Sequence, residues 1–114
     1  MWIMLSDAFF SIVNKNCGPD ELMVRARRNG DIEKVFPGAK VKKSTTSNYL
    51  YRTVVPRKDV ALALANAVDD IGYPNFKDSV EDDWLHYAYL KVWLAMAELQ
   101  HVPPYTPASK YIAG

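Results

Sequence analysis

The stretch from residue 79 to residue 100, SVEDDWLHYAYLKVWLAMAELQ, constrains the fold most, because it reads as one long helix that is apolar over much of its circumference. Ser79 with Asp82 three positions on resembles a capping box, and Glu81, Asp82 and Asp83 put negative charge where the helix macrodipole favours it. Leu85, Tyr89, Val92, Trp93, Met96 and Ala97 recur at spacings of three and four and predict one buried face. Trp84, Ala88, Ala95 and Leu99 widen the stripe beyond that face. A helix of this kind is either central in a core or shared with another chain.

The chain has 114 residues, enough to bury a core without a metal or a disulfide, and the pattern predicts one α+β domain over residues 1–100 followed by a proline-rich tail over 101–114. A single cysteine, Cys17, gives no sign of an oxidising compartment, so the expected location is cytoplasmic. The apolar start, MWIMLSDAFF, lacks a basic lead-in and is broken by Ser6 and Asp7, which predicts a strand rather than a signal segment. The charge is uneven. Residues 1–60 carry eleven Lys or Arg against six Asp or Glu, and residues 61–114 carry three against seven. Either the two halves attract one another or the basic half meets an anionic partner.

In chain order, Trp2 to Leu5 and Phe9 to Val13 read as two strands or one bulged strand, and Gly18-Pro19-Asp20 marks a turn. Leu22 to Arg28 alternates, with Leu22, Val24 and Ala26 facing one way and Met23, Arg25 and Arg27 the other. Asp31 is the expected N-cap of a short helix through Ile32, Val35 and Phe36, ended by Pro37-Gly38. Lys40 to Lys43 starts another strand, and Tyr49 to Val55, β-branched and aromatic, forms a further one that Pro56 ends. Asp59 is the expected cap of a second helix with a buried stripe of Val60, Leu64, Ala67, Val68 and Ile71, and Gly72 its C′ residue. The predicted order is ββαββαα: a largely antiparallel sheet of four to five strands with helices on one face and a long C-terminal helix.

Two surfaces carry chemistry. Arg25, Arg27 and Arg52, with Lys42 and Lys43, could join tyrosines on an open sheet face, a combination suited to single-stranded nucleic acid. The alternative is that these arginines cover an exposed face and pair with acidic residues across strands, while the lysines guard a sheet edge. Trp84, Tyr87, Trp93, Leu99 and Tyr105 are the candidates for a protein interface, because aromatic residues anchor such contacts. Tyr87 and Tyr89 cannot both face the core. His86, four residues after Asp82, is the one acid/base pair in reach, and an isolated surface histidine explains it as well. Phosphate-loop and dinucleotide motifs are absent, the acidic residues near positions 69–83 fit helix ends, and the sequence predicts no catalytic residue, cofactor or metal.

The blocks LMVRARRNGDIEKVFP, YRTVVPR, YPNFKDSV and AYLKVW, in this order, resemble a family of small prokaryotic and phage-type hypothetical proteins. The resemblance spans residues 2–96. It implies a bacterial or mobile-element setting and carries over no catalytic residue and no ligand. The expectation is thus a non-catalytic protein-binding domain that meets a partner protein or a second copy of itself, with a phage-borne inhibitor of the anti-CRISPR kind as its narrower form. The alternative expectation is a nucleic-acid-binding protein using the arginine face. Neither reading places the chain in a membrane.

Overall fold

The two faces of the central strand set the architecture. Along β3 (Glu21–Ala26) the even-numbered residues Val24 and Ala26 are fully buried, while Arg25 points to the other side of the sheet. The computed structural model describes residues 1–100, in two compact units, Met1–Pro74 and a second beginning at Asn75. The expected tail over 101–114 lies outside the described residues.

In the first unit, β1 (Trp2–Met4), β2 (Phe9–Val13), β3, β4 (Lys42–Lys43) and β5 (Tyr51–Pro56) form one antiparallel sheet in the order β1-β2-β3-β5-β4. The first two runs are separate strands: a turn at Ser6-Asp7, closed by Leu5 N–H donating to the Ala8 carbonyl at 2.8 Å, folds one onto the other. Pairing aligns Ile12 with Val24, Leu22 with Val55, Val24 with Thr53 and Ala26 with Tyr51. One face therefore collects Phe10, Ile12, Val24, Ala26 and Val55, and α1 (Asp31–Val35) and α2 (Arg57–Asp69) cover it with Ile32, Phe36 and Val60. Phe10 and Phe36 meet edge to face at 6.3 Å within this layer. Each large side chain so buried contributes about 1.5–3 kcal/mol.

Several expected helix ends shift, each for a local reason. Asp31 is the first residue of α1 rather than its cap; Gly30 holds the cap position at φ 94°, which glycine alone adopts without a steric cost. Pro56 precedes α2, and Asp59 sits in the first turn, where its charge suits the dipole without a capping bond. Gly72 is not left-handed, so it does not serve as a C′ residue. Val60 is buried and Ala63, Leu64 and Ala67 are half-buried, whereas Val68 and Ile71 are exposed: Val68 lies to the side of the Val60–Ala63–Ala67 line, and Ile71 falls beyond the helix.

The second unit contains a 3-10 turn (Lys77–Ser79) and α3 (Asp83–Ala97). The helix starts later than its sequence suggests. Asp82 is the N-cap, its carboxylate accepting from Leu85 N–H at 2.9 Å, while the Ser79 hydroxyl donates to the Phe76 carbonyl at 2.6 Å inside the preceding turn. Phe76 stacks on Tyr89 at 5.4 Å, and Val80, Leu85 and Tyr89 are buried. The rest of the expected buried face is not: Val92, Trp93 and Met96 are exposed, and Ala97 is half-buried. From the Phe76–Val80 segment, the Phe76 ring stacks on Tyr89 and the Lys77 ammonium lies over Trp93, which leaves Val92 and Met96 exposed.

Candidate functional site

The register of the sheet builds the first candidate surface. On the face turned away from α1 and α2, Trp2 lies opposite Ser11, Ser11 opposite Arg25, Arg25 opposite Arg52 and Arg52 opposite Lys42. One cross-strand row thus runs through all five strands and places Arg25, Arg52 and Lys42 side by side. Lys43, one residue on, belongs to the opposite face and lies over the Tyr51 ring at 5.9 Å, so it leaves this group. Arg27 follows the end of β3 on the arginine side, and its guanidinium lies over the Tyr49 ring at 4.3 Å, with that of Arg25 at 4.6 Å.

The partners of these arginines are neutral. Arg25 donates to the Ser11 hydroxyl at 2.6 Å; Arg52 donates to the Ser47 hydroxyl at 2.6 Å and to the Tyr49 carbonyl at 3.4 Å; Arg27 donates to the Asn48 carbonyl at 2.9 Å. Among the described residues these arginines have no cross-strand carboxylate partner. Among the described residues none of these three arginines has an ion pair, and the Nε–H groups of Arg25 and Arg52 are buried without an acceptor. The loop over residues 44–50, which supplies Ser47, Asn48 and Tyr49, is held against the arginine face by these bonds.

At its β4 end the row opens into a cleft of about 1020 Å³ between β5, the 36–42 segment and α2, with Lys40, Lys42 and Arg52 on its wall and Asp59 as the one carboxylate lining it. Elsewhere the first unit does pair its charges. Asp31, only 2% exposed, accepts from Arg28 at 3.1 Å, from Lys34 at 3.5 Å and from the Phe9 backbone N–H at 3.2 Å. Sequence reasoning saw Asp31 as a cap and missed this role, because nothing local signals that Phe9 returns to it.

The second candidate surface is α3. Trp84 is 81% and Leu99 69% exposed, and with Ala88, Val92 and Ala95 they follow one line along the helix and the turn after it. Tyr87 and Trp93 do not join that line. Tyr87 lies on one flank beneath the Lys91 ammonium at 4.4 Å, and Trp93 lies on the far side of the helix beneath that of Lys77 at 4.7 Å. Tyr105 lies outside the described residues. His86 is half-buried on the helix flank, and the Asp82 carboxylate reaches the Leu85 backbone as a cap. Cys17 is a half-buried free thiol whose sulfur approaches the Glu21 carbonyl at 3.4 Å.

Among the described residues no group of three or more His, Cys, Asp or Glu side chains could hold a metal ion, and no helix is long and apolar enough to cross a membrane. No protein-family model, curated protein or solved structure matches the chain, so its own geometry carries the functional reading.

Proposed function

We propose that the chain is a non-catalytic protein-binding domain of bacterial or mobile-element origin whose contact element is α3 and whose partner is a second copy of the chain. The exposure of Trp84 carries this reading: tryptophan is among the residues enriched at the energetic centres of protein contacts, and here it stands in water on an apolar helix. The line Trp84, Ala88, Val92, Ala95, Leu99 is also self-complementary. If two such helices run antiparallel, Trp84 of one copy meets Leu99 of the other while Ala88 meets Ala95, so the bulky residues close the ends and the small ones permit close approach between. A two-fold pairing of this sort is the commonest form of self-association. A phage-borne inhibitor is the narrower form of the reading; it draws on the setting implied by the sequence blocks and adds no residue to the surface.

Size-exclusion chromatography with light scattering tests the pairing. The expected species is a dimer that Trp84→Glu converts to a monomer with unchanged far-UV circular dichroism, while Trp93→Glu, off the line, leaves the dimer in place. A wild-type chain that stays monomeric at high micromolar concentration overturns the self-pairing.

A further inference from the structure

The basic row across the sheet is not used by a helix-mediated contact, and it has the composition of a separate binding site. We infer that this face binds single-stranded nucleic acid, with Arg25, Arg52 and Lys42 contacting phosphates and Trp2 stacking on a base.

Three observations converge. First, Arg25 and Arg52 are direct cross-strand neighbours, and Lys42 is the next. Like charges placed opposite one another on a sheet destabilise it, and the partners these two have among the described residues are hydroxyls, a carbonyl and the Tyr49 ring. A carboxylate at any neighbouring position would remove the cost; its absence leaves a concentrated positive field that an external anion neutralises. Serine hydroxyls and loop carbonyls fix the guanidinium groups in place, so little side-chain freedom is lost when phosphate arrives.

Second, the row has a direction and a length. Its two ends differ: Lys42 opens into the cleft shared with Lys40 and Arg52, and Trp2 stands 74% exposed at the other edge with its ring edge-on to Phe9 at 6.3 Å. Four inter-strand steps separate Trp2 from Lys42, a span of about 19 Å at the usual strand spacing. Ser11, between Trp2 and Arg25, is buried, and Arg25 and Arg52 are half-buried, so a lone phosphate or a mononucleotide reaches one end of the row, whereas an extended strand reaches both exposed ends, Trp2 and Lys42, and the accessible guanidinium edges between them.

Third, the two kinds of group are those that single strands need. Cations follow the backbone, and an exposed aromatic ring takes a base on its face without regard to sequence. A duplex hides its bases from such a ring and would engage the cations alone, which favours the single strand as the occupant.

Fluorescence anisotropy of the full-length protein with a labelled twelve-nucleotide single strand, as DNA and as RNA, tests the inference across a range of salt. The expected result is saturable binding whose logarithmic salt slope is about −2, the value for three phosphate contacts on a single strand. Lys42→Ala lowers that slope to about −1.4. Trp2→Ala weakens binding by about tenfold or more while leaving the slope unchanged. Both residues are exposed, so circular dichroism is expected to show native folds for the two variants. Trp84→Glu, which removes the proposed self-contact, is expected to retain binding to the isolated oligonucleotide, so failure of the one reading is distinguishable from failure of the other. Absence of saturable binding in 50 mM salt, or natively folded Lys42→Ala and Trp2→Ala that bind like wild type, overturns the inference. So does equal affinity for a duplex of the same sequence, or full displacement by millimolar inorganic phosphate, either of which reduces the face to a general anion site.

Discussion

Asp31 and Gly30 show how much of this fold depends on single positions. Asp31 is a buried carboxylate tied to Arg28, Lys34 and the Phe9 backbone, so it joins β2 to the start of α1. Arg28 and Lys34 are partly exposed and stay hydrated without it, so Asp31→Ala is expected to cost about 1–3 kcal/mol through the lost charged hydrogen bonds and the unsatisfied Phe9 amide, measured by urea denaturation. Gly30 has open space where a side chain would stand, so Gly30→Ala suffers only from its left-handed backbone, at about 1–2 kcal/mol. Gly38 also has open space and no such backbone, and Gly38→Ala is expected to leave stability unchanged or raise it by up to about 1 kcal/mol. The sequence marked Asn29-Gly30-Asp31 as a turn and helix start. It could not show that Asp31 is buried, since that depends on a backbone amide far away along the chain.

At the scale of elements, periodicity was most informative where one face is buried. The alternation of Val24 and Ala26 against Met23 and Arg25 gave β3 its two faces, and the β-branched run gave β5. Tyr49 departed from this logic: by alternation it belongs with Tyr51 and Thr53, but it precedes β5, and the loop turns its ring to the arginines. The pairing of Arg25 with Arg52 was not legible either, because cross-strand register follows from the long connection between β3 and β5 and not from either strand alone. α1, only five residues long, is too short to hold itself and relies on Ile32 and Phe36 in the core. Ile32→Ala is expected to cost about 2–5 kcal/mol in the same denaturation experiment. For α3 the apolar surface was evident in sequence, while the place where it starts was not. Asp82→Ala should weaken the helix by about 1 kcal/mol, seen as faster hydrogen exchange at the Leu85 amide, and Ser79→Ala should leave that amide unchanged.

For the molecule as a whole, a formal charge of +1 conceals how charge is distributed. Arg25 and Arg52 face one another and the exposed Lys42 with no ion-pair partner among the described residues, so dissolved anions relieve a repulsion that the net charge does not reveal. Raising sodium chloride from 20 to 300 mM is expected to lift the thermal midpoint by about 2–4 °C, and Arg52→Gln should abolish most of that rise. Composition foretold a basic first half. It could not separate the cations that are paired, such as Arg28 and Lys34, from those that are not.

The strand order also fixes when the basic row comes into being. β1, β2 and β3 join through short turns, whereas β3 meets β5 only after the chain between them has been brought back on itself, an entropic cost that grows with the length of that loop. Arg25 stands on one side of this closure and Arg52 on the other. A three-stranded meander made of β1, β2 and β3 lacks the row, so a probe that senses Arg25 beside Arg52 would time this closure, which helix content alone would miss.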